Sequence, residues 1–535
     1  MAAISIRNLS FTYPGSVEPV FTGLSAQLDT AWKLGLVGRN GRGKTTLLHL
    51  LSGRLRGVGL IESPAAMDYF PYDMDMGLPA GRAMRGAVAP FDQWAAEMEA
   101  LLRLGDERSL DRWGELERAF GQAGGYEIDD MIAREASKLG IDPAALTRPL
   151  STFSPGEITR MKIAAMFLRR GAFPLIDEPT NHLDADGRRA MARYLSGRSG
   201  FIVVSHDRRF LDETIDHVMA LDKAGVRVEQ GNYSSYRENK RLRDEYEIER
   251  NERLGSEIGR LTETAREKAA WSDRVEATKI GGHVADRGHV GHLAAKAMKR
   301  ALTIRRRTER AIEEKKALLR DLEYASALSI HPLDHPANVP VRLREVSAGY
   351  GGEMVIEKLS LEVNRGDRIA LVGPNGSGKS TLLKLILGEL TPDMGSVTRA
   401  SGIEVSYLPQ TTGSLQGTPH ELAEARGLDK SYFLMLLRKL DFPREAFERD
   451  MRGYSMGQQK KVLLAACMAR PAHLYVWDEP LNYVDLPSRE QVEDMLADST
   501  ATMVFVEHDQ AFVDRVATRV VRLNGRGAAP AAPGR

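Results

Sequence analysis

Two stretches of this 535-residue chain are built to hold phosphate. Gly38-Arg39-Asn40-Gly41-Arg42-Gly43-Lys44-Thr45 and Gly373-Pro374-Asn375-Gly376-Ser377-Gly378-Lys379-Ser380 both fit the P-loop pattern G-x-x-x-x-G-K-[ST]. Glycines let main-chain N–H groups close around phosphate oxygens, and the helix that follows, opening through Thr46 and Thr381, aims its positive end at the same anion. Lys44 and Lys379 are expected at the β- and γ-phosphates, and Thr45 and Ser380 at Mg²⁺. Each loop follows an apolar run, Leu34–Val37 and Ile369–Val372, and precedes an apolar helix. Two copies in the right context imply two nucleotide sites.

Each loop has its own followers. Phe153-Ser154-Pro155-Gly156-Glu157 and Tyr454-Ser455-Met456-Gly457-Gln458 are matched turns. Apolar strands ending in Asp177-Glu178 and Asp478-Glu479 come 23 positions after each serine, and His206 and His508 follow at matched places. Asp177 and Asp478 are expected to support the metal. Glu178 and Glu479 stand where a carboxylate polarises an attacking water, and His206 and His508 where a donor meets charge on the γ-phosphate. Tyr13 and Tyr350, in matched turns, are candidates to stack on adenine.

The elements that position these groups form a tandem repeat. Between the halves, from 237 to 339, charge becomes dense and a heptad seam runs through Leu254, Ile258, Leu261 and Ala265 on one side and Ala297, Ala301, Ile304, Thr308, Ala311, Lys315, Leu318, Leu322 and Ala325 on the other, imperfect at Thr308 and Lys315. A Gly-rich tip at 279–292 separates them, so an antiparallel helical hairpin is expected. About 40 residues per side give a rod of roughly 60 Å. The predicted domains are therefore 1–236, 237–339 and 340–525, with a disordered tail at 526–535. The first half carries about 37 more residues than the second before its signature turn; they read as a folded helical arm near 80–140.

Bulk properties narrow the partners. Net charge is +1, so attraction to a polyanion must be local. From Lys279 to Arg307, eight bases (including Lys279, Arg287, Lys296, Lys299 and Arg300) face one acid, Asp286. A basic tip on a rod suits insertion into RNA, where phosphate contacts dominate affinity. No apolar run is long enough to span a membrane and the N-terminus lacks a signal-peptide layout, so a cytoplasmic protein is expected. The single Cys467 reads as a buried thiol.

The signature turns resemble those of the ATP-binding cassette superfamily. That resemblance covers about 1–235 and 340–525 and implies an α/β fold with two tandem P-loop ABC ATPase domains joined by a long α-helical hairpin linker. It also implies that each ATP lies between one domain's P-loop and the other's signature turn. Lys44, Thr45, Asp177, Glu178 and His206 would work with Ser455 and Gly457; Lys379, Ser380, Gln410, Asp478, Glu479 and His508 with Ser154 and Gly156. The chain departs from the family at Pro155 and Met456, where Gly is usual, and at Tyr72, which stands where Gln410 stands in the second half. A phenol is a poorer Mg²⁺ ligand than an amide oxygen, so unequal sites are expected.

Fusion by a charged hairpin, the arm, and Asp177-Glu178-Pro179-Thr180-Asn181-His182-Leu183-Asp184 resemble the ABC-F group, cytosolic tandem ATPases that act on ribosomes. Asp286–Lys296, Trp477–Asp485 and Tyr69-Phe70-Pro71-Tyr72 are similar to its antibiotic-resistance branch, which protects ribosomes against lincosamides, pleuromutilins and streptogramin A compounds. The implied partners are large-subunit rRNA and P-site tRNA. A housekeeping translation factor of the same group, and a DNA-structure-binding ATPase, remain as alternatives.

Overall fold

The structure is a computed structural model that describes residues 3–16, 18–181, 183–222, 225–277, 310, 328–351, 353–374, 376–413 and 415–523, with the main chain alone over 264–277. Asn375, the tip at 279–292 with Lys279 and Arg287, the shoulder with Lys296, Lys299 and Arg300, and the tail at 526–535 lie outside the described residues.

Each half is a cassette built around a mostly parallel sheet. In the first, the strand order is Ala66–Phe70, Ala172–Asp177, Phe201–Val204, Lys33–Gly38, His217–Asp222 and Gly225–Gln230, and only the last strand is antiparallel to its neighbour. In the second, Val405–Leu408, Leu474–Asp478, Met503–Val506, Arg368–Val372 and Arg519–Arg522 are all parallel. Parallel strands covered on both faces read as unbroken apolar runs. Phe201–Val204 and Met503–Val506 are such runs, buried at every position. Each cassette adds a three-stranded antiparallel sheet: Phe21–Asp29, Ala3–Phe11 and Val58–Glu62 in the first, Glu353–Val363, Val341–Tyr350 and Met394–Arg399 in the second.

The parallel topology brings the chemistry together. Ligands gather at the carboxyl ends of such strands. The first P-loop follows Lys33–Gly38, Asp177 ends its strand, and His206 follows Phe201–Val204 one strand away. The second cassette repeats the arrangement with Arg368–Val372, Asp478 and Met503–Val506.

The extra length of the first half is a helical hairpin, Phe91–Leu104 and Glu107–Gln122, set between Ala80–Val88 and Ile128–Lys138. The second half runs from Pro419–Ala425 straight to Lys430–Lys439. Gly105, at φ 69°, ends the first arm helix, and the Asp106 side chain accepts from the Ser109 amide to cap the second. The arm is anchored at its base, where the fully buried Phe91 ring lies 5.5 Å from that of Phe120.

A single helix, Tyr233–Ala277, leaves the first cassette, and Ser235–Tyr324 separates as a compact unit of its own. Within that unit Leu254 and Ile258 are half-buried between exposed neighbours, and Leu261 and Thr262 are half-buried together. The far end of 237–339 packs on the second cassette. Leu328 and Ile330 are buried in the second cassette's core, the Leu333 amide donates to the Ala472 oxygen at 2.8 Å, and Tyr432 bonds Ser329. Pro332, Pro336 and Pro340 exclude a helix here, so the chain docks as an extended strap on the second cassette.

Candidate nucleotide sites

The two P-loops have matched local geometry. Gly43 and Gly378 precede their helices with φ of 86° and 91°. A β-carbon at Gly43 would fall 2.5 Å from Val20, so only glycine serves there. The Lys44 ammonium donates to the Gly38 oxygen at 2.8 Å and the Arg39 oxygen at 3.2 Å; Lys379 donates to the Gly373 and Pro374 oxygens, both at 2.8 Å. Each ammonium is thus folded into its own loop. Burial lowers the pKa of both, Lys44 against the opposing carboxylates of Asp485, Glu178 and Asp177, Lys379 against Glu479, Asp478 and Asp184.

The hydroxyl of Thr45 donates to Asp177 at 2.7 Å and that of Ser380 to Asp478 at 3.0 Å. Burial raises the pKa of both aspartates, and Asp478 Oδ1 is buried with no hydrogen-bond partner. Hydroxyl and carboxylate oxygens side by side, one of them orphaned, form a hard-oxygen set that fits Mg²⁺. Gln410, expected at the metal, lies near enough to Glu479 to help lower its pKa.

Glu178 and Glu479 sit at φ 51° and 47°, a conformation that costs a non-glycine residue about 1 kcal/mol or more and clusters at functional sites. Their amides donate to Val204 and Val506 at 2.9 and 3.0 Å, which holds both strand ends in place. His206 Nε2 lies 3.3 Å from Glu178, and His508 Nε2 lies 3.5 Å from Glu479.

The equivalence ends there. Burial, then the charge of Asp177, pushes Glu178 up to about 8. Glu479 is also buried, but hydrogen bonds from His508 and Gln410 and the charges of His508 and Lys379 outweigh the burial and bring it down to about 2. Burial, then the positive charges of Lys44 and Arg489, lowers His206 well below its ordinary value, so its imidazole is neutral. Tyr72 is the main difference. Its hydroxyl donates to the Lys162 oxygen at 2.7 Å and its ring lies under the Arg169 guanidinium, so it faces away from the metal position. Tyr69 takes a place in the site that sequence reading missed. Its hydroxyl donates to Asp177 at 3.1 Å. Strand alternation was the available signal, since Tyr69 sits beside Leu175, two residues before Asp177.

The cassettes meet at these loops. Asn40 donates through its side chain to the Tyr483 oxygen at 2.9 Å and through its main chain to Asp485 at 3.3 Å. A β-carbon on Gly457 would meet the Tyr483 oxygen at 2.7 Å and Asn40 at 2.9 Å, so the second signature turn lies against the first P-loop. Arg39 reaches Asp441 of the second cassette at 3.4 Å. In the other direction Asp184 of the first cassette acts on the charge of Lys379. Ser154 and Ser455 each cap a helix in a reciprocal box, with Glu157 and Gln458 respectively, and Gly156 and Gly457 lie in the first turn. Lys461, unremarked in the sequence, forms a buried pair with Asp485 at 2.6 Å.

Tyr13 is half exposed and its hydroxyl bonds Thr46 at 2.9 Å, while Tyr350 stands half exposed at its strand end without an equivalent bond to Thr381. Gly41 and Gly376 take the positive φ of the loop, 84° and 78°. Among the described residues no helix is long and apolar enough to cross a membrane.

A family model described as ABC transporter matches residues 21–181 and 356–482. The chain is 28% identical over 534 residues to the ribosome protection protein VmlR of Bacillus subtilis, covering 98% of this chain and 87% of that one. It is also 28% identical to the ATP-binding protein Uup of Caulobacter vibrioides, over 97% and 77%, and 26% identical to ABC transporter F family member 2 of Arabidopsis thaliana, over 98% and 77%. Among solved structures, an archaeal ribosome recycling factor in complex with a ribosomal stalk protein has the same fold, with TM-score 0.55 and 21% identity over 98% and 90% of the two chains.

Proposed function

Because this chain belongs to the ABC transporter family, as an ABC-F ATPase with two cassettes, we propose that it binds the ribosome and uses its interdomain hairpin to dislodge antibiotics from the peptidyl-transferase region. Its two ABC domains bind ATP and are the ATP-hydrolysing part. In our reading Lys44 and Lys379 take the triphosphate. Thr45 with Asp177, and Ser380 with Asp478, hold Mg²⁺, which when bound neutralises phosphate charge. Glu178 and Glu479 orient water, and the histidines donate to the γ-phosphate. Ser455 and Gly457 complete the first site from across the interface, and Ser154 and Gly156 the second.

The observation that carries the ribosomal reading is the end-to-end match to a ribosome protection protein, in a chain whose linker has eight bases against one acid between Lys279 and Arg307. The closed pair of cassettes supports an ATP-favoured binding state, since contacts such as Asn40 to Tyr483 exist only when the domains meet. Hydrolysis would open that state and release the ribosome. Relatives named only for ATP binding are equally similar, so a housekeeping translation factor stays as the second reading.

The test is sedimentation of the Glu178→Gln/Glu479→Gln double variant from cell lysate with ATP. ATP-dependent travel with ribosomes, followed by protection of translation against lincosamides or pleuromutilins, is expected. Ribosome binding without protection favours the housekeeping factor; travel with DNA, or none, removes the ribosomal reading.

A further inference from the structure

Where the two cassettes meet, a buried ion cluster occurs, among the described residues, on one side only. Arg208 starts the helix Arg208–Thr214, two residues after His206. Its guanidinium contacts Glu493 of the second cassette and lies 3.8 Å from Asp509, which adjoins His508. These three side chains are 7%, 3% and 1% exposed. Arg489 lies 3.7 Å from the same Asp509 oxygen, and Arg515 lies 3.3 Å from Glu493.

Part of this is common to both halves. Arg188 pairs with Asp207 at 3.1 Å as Arg489 pairs with Asp509, so each cassette ties its switch loop to the helix after Asp184 or Asp485. The link from Arg208 is additional. Its counterpart is Gln510, whose amide donates to Asp514 in its own helix at 2.7 Å, and the counterpart of Glu493 is Ala192.

We propose that Arg208 is a positioning residue that couples the two ATPase sites, joining the loop of His206 to the loop of His508 across the interface. The physical basis is the cost of separation. Pulling Arg208 away leaves Glu493 and Asp509 buried with less compensating charge, and such uncompensated charges are strongly unfavourable. A shift of the His206 loop during hydrolysis therefore moves Asp509, one residue from His508. This inference rests on the ATPase sites and not on the ribosomal reading, and is tested on ribosome-free protein.

The experiment compares steady-state ATP hydrolysis by the full chain with Glu178→Gln, Glu479→Gln or neither, with Arg208 present or replaced in Arg208→Gln. With Arg208, the two single-site rates are expected to sum to well below the parent's, with a Hill coefficient above one. With Arg208→Gln they should sum to the parent's rate, with a Hill coefficient of one. Glu493→Ala should have the same effect without altering Arg208, and decides the matter where Arg208→Gln lowers the soluble yield. Arg208→Lys, which keeps the charge without the two-pronged geometry, should restore coupling in part. Additive sites with Arg208 present, or unchanged non-additivity in folded Arg208→Gln and Glu493→Ala, overturn the proposal. A merely structural role would lower the melting temperature and leave the Hill coefficient alone.

Discussion

The hydroxyl of Tyr72 donates to the main-chain oxygen of Lys162, 2.7 Å away, whereas Gln410 at the matching position of the second half helps to lower the pKa of Glu479. One substitution thus accounts for part of the contrast between a carboxyl pushed up to about 8 and one drawn down to about 2. With Glu178 and Glu479 as the proposed general bases, which work deprotonated, hydrolysis through Glu178 should rise with pH, whereas hydrolysis through Glu479 should already be enabled in mild acid. The Glu479→Gln variant should gain rate between about pH 7 and 9, and Glu178→Gln should be flat there. Adding Tyr72→Gln to the former should move its rise to lower pH. Pre-steady-state phosphate release across pH checks both.

Gly457 allows the second signature turn to approach Asn40 and Tyr483. Gly457→Ala should therefore hinder closure over the first P-loop while leaving each cassette folded. The expected outcome is a fall in ATP turnover of roughly tenfold or more, equivalent to about 1.4 kcal/mol. An unchanged melting temperature without nucleotide would show that the loss comes from closure.

The Lys461–Asp485 pair is nearly inaccessible to solvent. Lys461→Met or Asp485→Asn alone should destabilise the protein by about 3–5 kcal/mol, because each leaves a buried charge, whereas Lys461→Met/Asp485→Leu should recover much of that. Burial opposes ionisation of Asp485, but the Lys461 charge and hydrogen bond, with Ser488, hold it far below its ordinary value of 3.8. A depressed carboxylate stabilises the fold above its unfolded pKa and loses that contribution as pH falls. Denaturant melts at pH 7 and below pH 4 should show the variant penalties shrinking in acid.

Tyr69 bonds Asp177 from the strand beside it, and its own ionisation is suppressed by burial and by that carboxylate. Tyr69→Phe should weaken Mg²⁺-dependent nucleotide binding a few-fold, in line with the ~1 kcal/mol of a single hydrogen bond. Titration with a fluorescent ATP analogue at varied Mg²⁺, in the Glu479→Gln background, reads the effect.

Sequence alone determined the repeat and the chemical type of each site residue. The P-loops, the Asp-Glu strand ends and the signature caps are contiguous, and their geometry follows from local main-chain rules such as the left-handed glycines and the Ser154 and Ser455 boxes. Only the tertiary structure decided where Tyr72 points, that Tyr69 meets Asp177, and that residues from 328 onward join the second cassette. It alone placed Arg208 against Glu493, 285 positions away. Side-chain direction and distant charge pairing depend on how packed elements meet. Periodicity, which reports only the face of an element turned inward, carries no information about the partner found there.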